Sequence, residues 1–151
     1  QLDYAPEPVP AAGSEVERLR AGLVQALHGL DTAAASQVLG QALELLPVEQ
    51  VALKLVRPLL PELTPFGRTF LRFKLGAWLA HASPPAGAPV ALVMAPDPLD
   101  LRPLLVAVLL SRRGRRVVYV EGAEEPAGLE PDLTIDPRRW REGVPPEQLF
   151  E

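Results

Sequence analysis

The stretch that decides the fold begins with PVALVM at residues 89–94, continues with LRPLLVAVLLSRRG at 101–114 and ends with VVYV at 117–120. The first and last pieces are short, continuous apolar runs, which are typical of buried parallel strands. The piece between them predicts a helix over Leu99–Arg113, and Gly114 is the residue type that ends a helix. Strand, helix, glycine turn and strand in this order predict one parallel βαβ unit. The inward face of the helix would consist of Leu101, Leu104, Leu105, Val108 and Leu109.

Two amphipathic helices are predicted near the amino end. Ser14 and Glu17 have the spacing of a capping box, which predicts a helix over 14–29. Asp31 or Thr32 would cap the second helix. The apolar face of the first helix would be Val16, Leu19, Leu23, Leu27 and Leu30, and that of the second Val38, Leu39, Ala42, Leu43 and Leu46.

Prolines mark the next two helices. Pro47 suits the first turn of a third helix, which Pro58 should kink or end. Pro61 favours an end of this helix near residue 60. Thr64 and Pro65 read as the cap and first residue of a fourth helix that runs to about Ala82. Its aromatic residues, Phe66, Phe70, Phe73 and Trp78, suit either the core of a bundle or the wall of a cofactor pocket, and the core is the favoured interpretation.

These elements predict an α/β protein in which a four-helix bundle precedes a truncated or degenerate βαβ unit. The expected organisation is a proline-rich linker at 1–13, the bundle at 14–82, a second linker at 83–88 and a partial α/β domain at 89–151. A short third strand is expected at 132–135. The start at Gln1 suggests a piece of something longer.

Composition narrows the function classes. The 151 residues contain no Cys, which excludes disulfides, thiolate chemistry and Cys-ligated metals, and only two His. A net charge of −4 argues against a nucleic-acid surface over the chain as a whole. The apolar runs are too short to span a bilayer, so we expect a cytoplasmic protein without membrane contact.

The loop after the first strand reads APDPLD at 95–100, with no glycine to cradle a phosphate. Asp97 and Asp100 are candidates for a Mg²⁺ or general-base pair, but a capping role at the following helix is favoured. His28 and His81 lie at predicted helix ends without ligand spacing. We therefore expect no enzyme, no cofactor and no metal, and assign a candidate effector pocket to Phe66, Phe70, Asp97 and Arg102.

Four motifs in order and at matching spacing resemble one family: GLVQALHGLD at 22–31, LVRPLL at 55–60, FLRFKL at 70–75 and LSRRG at 110–114. Over residues 15–127 the chain resembles the sensory half of the cobalamin-dependent, light-responsive MerR-type transcription regulators (the CarH/LitR family). The resemblance implies that the βαβ unit is a cobalamin-binding-like, Rossmannoid domain.

Departures from the family pattern lie at the corrin site. In the Glu-x-His-x-x-Gly loop that would supply the lower cobalt ligand, Leu99 stands for the His and Arg102 for the Gly. No His lies between 82 and 151, so a shifted alignment does not restore the ligand. The Glu-His pair expected before the fourth helix is replaced by LTPF at 63–66, and no Trp precedes it.

The resemblance thus implies a regulatory and oligomerisation domain of a MerR-like regulator that has lost cobalamin binding. Its partner would be a second copy in a homodimer, and DNA would be contacted only through an upstream domain. The sequence does not identify a small molecule that would replace cobalamin as the effector. The alternatives are a helical-cap plus α/β module of a cobalamin-dependent-type enzyme or carrier, or a domain that senses another small molecule.

Overall fold

A computed structural model describes residues 12–122 and 124–139, with side chains for 15–122 and 124–138. The fold is mixed α/β, as expected, with a mostly helical chain and a three-stranded parallel sheet. Two compact units divide the chain, Gln1–Leu59 and Leu60–Glu151. Most of the expected linker at 1–13 and the end of the expected α/β domain, from residue 140, lie outside the described residues.

The first unit opens with α1 (Ala12–His28) and α2 (Thr32–Leu45) packed against each other. Asp31 caps α2 as predicted, since its Oδ1 accepts a hydrogen bond from the Ala34 amide at 3.0 Å. The predicted face of α1 is confirmed by burial of Val16, Leu19, Leu23 and Leu27. However, α1 begins at Ala12, two residues before the expected cap at Ser14, so Ser14 lies inside the helix and the predicted start is wrong by two residues.

Two predicted core residues of this unit are wrong. Leu30 is 66% exposed because α1 ends at His28 and Leu30 adopts a φ of +56°, which turns it away from the helix face. Leu43 is exposed as well, since the buried stripe of α2 runs through Ala35, Leu39 and Ala42 and leaves Leu43 at its margin.

Pro58 interrupts the regular helix, as predicted. The segment starts as α3 (Val48–Gln50), becomes a π-helix over Val51–Val56 and a 3₁₀-helix over Arg57–Glu62. Proline has no amide hydrogen, so it cannot bond the Lys54 carbonyl four residues earlier. The Lys54 carbonyl accepts a hydrogen bond from Arg20 of α1, whose Nη2 lies 2.6 Å from the carbonyl oxygen.

The second unit begins with α4 (Pro65–Ala80). The Thr64 cap is confirmed, since its Oγ1 accepts a hydrogen bond from the Gly67 amide at 3.1 Å. The prediction that Phe73 faces the core is wrong, because Phe73 is 72% exposed. Leu71 and Leu75 centre the buried stripe, and at 100° per residue Phe73 lies on nearly the opposite side of the helix from Leu71.

The sheet comprises β1 (Val90–Ala95), β2 (Arg116–Glu121) and β3 (Leu133–Ile135), in the order β2-β1-β3 with all strands parallel. The third strand expected from the sequence is therefore confirmed. Val93 sits in register with Tyr119 on one side and Ile135 on the other. Asp132 fastens β3 to the start of β1, because it exchanges two 2.8 Å hydrogen bonds with the backbone of Val90.

Between β1 and β2 lies α5 (Arg102–Arg112), which packs against both strands and against α4. All nine residues from Pro103 to Ser111 are buried. The predicted glycine cap is confirmed: Gly114 has a φ of +86°, and the amides of Gly114 and Arg115 bond the carbonyls of Ser111 and Leu110. Because α4 packs on α5, it belongs to the second unit, and the expected domain boundaries stay predictions.

Within the part of the chain that the structure describes, no helix combines the length and apolar character needed to cross a bilayer.

Candidate functional site

The loop from β1 to α5 is held by its own carboxylates. Asp97 accepts a hydrogen bond from the Leu99 amide at 2.9 Å, and Asp100 accepts one from the Arg102 amide at 3.1 Å. The prediction of helix-capping roles is wrong in detail. Leu101 is the cap residue of α5 and makes no side-chain cap bond, because the two carboxylates form turns that delay the helix from Leu99 to Arg102.

Asp100 and Arg102 form a two-point ion pair next to this turn. The Nε–Oδ1 distance is 2.9 Å and the Nη2–Oδ2 distance 2.7 Å. Burial acts to raise the pKa of Asp100, but the hydrogen bonds from the side chain and amide of Arg102 outweigh it and hold that pKa below 3.8. Asp100 therefore stays ionised at neutral pH, and the positive charge of Arg102 balances its negative charge.

A cavity of about 290 Å³ opens beside this ion pair, at the carboxyl end of β1. Ligands of open α/β sheets bind at that edge. The side chains that give the cavity its apolar walls come from the segment before α4 and from the loop before α5: Leu60, Pro61, Leu63, Leu99 and Leu101. Leu99 is 64% exposed, so part of its side chain faces solvent at the opening.

Three charged side chains complete the lining: Arg68, Asp100 and Arg102. The Arg68 guanidinium makes one long hydrogen bond, 3.4 Å from Nη2 to the Leu63 carbonyl, and forms no ion pair among the described residues. With Asp100 matched by Arg102, the cavity carries one cation in excess. The arrangement suits an anion with an apolar body.

No protein-family model and no curated protein matches this chain.

Of the four residues predicted for an effector pocket, only Arg102 lines the cavity. Phe66 is half-buried on α4, Phe70 is buried beneath the Lys74 ammonium at 5.6 Å, and Asp97 is exposed in its turn. Sequence reasoning missed Arg68. The one signal for Arg68 in the sequence is its position, because it lies in the first turn of the helix that Thr64 and Pro65 begin.

The residues at this edge do not fit a corrin. Leu99, which the resemblance would align with the cobalt ligand, has no donor atom in its side chain and is exposed. Arg102, which the resemblance would align with the glycine, carries a large side chain that forms an ion pair with Asp100.

The described residues include His, Asp and Glu side chains, which are types that bind metal ions. No group of three His, Asp or Glu side chains there is arranged to hold a metal ion. His81 ends α4 with its Nδ1 2.7 Å from the Ala77 carbonyl oxygen, and exposed His28 is the last residue of α1. Both histidines occupy the helix-end positions that the sequence predicts.

Tyr119 of β2 gives the first testable prediction. Burial, aided by the charges of Glu121 and Asp100 and opposed by that of Arg72, raises the pKa of Tyr119 to about 12. The folded state therefore keeps the phenol proton where the unfolded state, with a pKa of 10.0, loses it. Stability from this group is complete below pH 10 and falls as the pH rises from 10 to about 12.

The measurement is an ultraviolet titration of phenolate in a Tyr4→Phe variant, which leaves Tyr119 as the one tyrosine. We expect its midpoint near 12 while circular dichroism still reports folded protein. A midpoint at 10 in folded protein would show that water reaches the phenol freely.

Proposed function

We propose that this chain is a regulatory and oligomerisation domain of a MerR-like transcription regulator that no longer uses cobalamin. In this proposal the described helices before the sheet correspond to a helical bundle, and β1, α5 and β2 to the start of a Rossmannoid, cobalamin-binding-like unit. DNA contact belongs to a domain outside this sequence, and two copies of the chain form a homodimer in the cytoplasm.

The observation that carries the proposal is the state of the loop from Leu99 to Arg102. The loop lies at the edge of the sheet where ligands bind. Asp100 and Arg102 pair with each other there, and Leu99 is exposed. The resemblance aligns Leu99 with a cobalt ligand and Arg102 with a glycine. These two replacements support a domain that has lost the corrin and kept the surrounding fold.

The alternative, a module of a cobalamin-dependent-type enzyme or carrier, is less well supported. It needs a ligand to cobalt and a glycine-lined groove for the nucleotide tail. Leu99 and Arg102 supply neither. A domain that senses another small molecule is compatible with the regulator and is favoured by the cavity beside Arg68.

One experiment tests both halves of the proposal. The chain is incubated in the dark with adenosylcobalamin or methylcobalamin and passed over a sizing column with absorbance and light-scattering detectors. We expect a colourless peak with twice the 16.3 kDa mass of one chain. A corrin band that travels with the protein would contradict the loss of cobalamin. A mass of 16.3 kDa at tens of micromolar would contradict the oligomerisation role.

A further inference from the structure

We infer that the cavity beside Arg68 binds a small monocarboxylate with a compact apolar body, of the aromatic or branched aliphatic class. This inference rests on the proposed function, because the ligand would be the effector of the regulatory domain.

The charge of the ligand follows from the three ionisable groups of the lining. Asp100 and Arg102 cancel in a pair with contacts of 2.7 and 2.9 Å, which leaves Arg68 as the excess cation. A guanidinium fork matches the two oxygens of a carboxylate. The present partner of Arg68, the Leu63 carbonyl at 3.4 Å, is a weak one that a carboxylate would readily replace or supplement.

Helix geometry favours the same charge. Leu63 lies just before the amino end of α4 and Leu101 just before that of α5, and both line the cavity. The amino end of a helix carries a partial positive charge. The start of α5 already holds the Asp100 carboxylate, so the start of α4, beside Arg68, is the end that favours an added anion.

The apolar part of the ligand follows from the walls. Five of the eight lining side chains are Leu or Pro, and Leu99 stands 64% exposed at the opening. Covering exposed apolar surface is favourable at about 25 cal/mol per Å². A volume of about 290 Å³ lies at the lower end of the range for small-molecule sites, so the body of the ligand is small.

Other ligand classes fit less well. A phosphate ester carries more charge than one arginine balances, and Pro103 removes an amide that a phosphate would use at the start of α5. A free metal ion would need unpaired carboxylates, whereas Asp100 is held by Arg102. A wholly apolar ligand would bury the Arg68 charge without compensation.

The test uses benzoate and isovalerate as probes of the two body types, titrated into the full chain by calorimetry, with benzamide as the neutral isostere of benzoate. We expect saturable, one-site binding of at least one carboxylate in the millimolar range or tighter. Benzamide should bind about tenfold more weakly, because it lacks the charge that Arg68 pairs with.

Variants locate the site. Arg68→Gln should weaken carboxylate binding about tenfold, and Leu99→Ala about threefold through lost apolar contact. Arg112→Gln removes the same charge at the exposed carboxyl end of α5, away from the cavity lining, and should leave the affinity unchanged. Arg68→Lys keeps the charge without the fork and should give an intermediate loss.

Three results would overturn the inference: no binding of either probe, equal binding of benzamide and benzoate, or unchanged affinity in folded Arg68→Gln protein. If the Arg68 variants do not fold, amide chemical shifts of the unmodified chain decide. Shifts on adding benzoate should centre on Leu63 and on residues 99–102, and shifts centred elsewhere would place the site elsewhere. Failure here leaves the corrin and mass measurements untouched, so the two proposals fail separately.

Discussion

Replacing Leu105 by Ala in α5 should lower the free energy of unfolding by about 2–5 kcal/mol, one of the largest effects expected of a single substitution in this chain. Leu105 is fully buried, in a helix that packs against β1, β2 and α4. Shortening its side chain to a methyl group loses transfer free energy and leaves a cavity that the strands and helices on several sides cannot collapse to fill.

The matched control is Leu99→Ala, the same change three residues before α5. Leu99 is 64% exposed, so its truncation should stay within about 0.5 kcal/mol in the absence of ligand. Urea unfolding followed by far-ultraviolet circular dichroism measures both variants. A loss below about 1 kcal/mol for Leu105→Ala would mean that α5 is packed more loosely than its burial indicates.

The sequence predicts that α5 is a helix but underestimates how much of it is buried. A run of nine apolar or small residues from Pro103 to Ser111 lacks the polar face of an amphipathic helix, and such a helix is buried all round. Reading one inward face through Leu104 and Leu105 therefore underestimated its burial. The strands β1 and β2 are easier to predict. A short apolar run bounded by Pro, Arg or Glu is too short for a buried helix and fits a buried strand.

Exposed apolar residues were the weaker part of the prediction. Periodicity identifies an apolar stripe but not its centre, so it places Leu43 and Phe73 in buried faces that are in fact centred on Leu39 and Leu71. The candidate site was harder still. Arg68 and Leu99 are 31 positions apart, and their meeting at one cavity depends on how α4 packs against α5, which no local pattern encodes.

Glycine-to-alanine substitutions should change stability with opposite signs at two kinds of position. Gly40 in α2 and Gly76 in α4 lie inside helices, and a Cβ built on either meets nothing within 4 Å. Gly40→Ala and Gly76→Ala should each stabilise the protein by about 0.5–1 kcal/mol, because alanine has less backbone freedom to lose on folding.

Gly114→Ala should instead destabilise it by about 1–2 kcal/mol. Open space surrounds the Cβ position there too, so the difference does not come from packing. It comes from the φ of +86° at Gly114, which would place a Cβ against its own backbone. The hydrogen bonds from the amides of Gly114 and Arg115 to the carbonyls of Ser111 and Leu110 require this φ. The expected loss is therefore one of conformation alone.

Gly114→Asn separates strain from any other cause, because asparagine tolerates the left-handed region better than alanine. Its loss of stability in the same urea experiment should be smaller than that of Gly114→Ala. Equal losses would mean that the side chain meets an obstacle beyond its own backbone. A gain at Gly114 of the size expected at Gly40 would mean that α5 continues through residue 114 and that β2 starts later than Arg116.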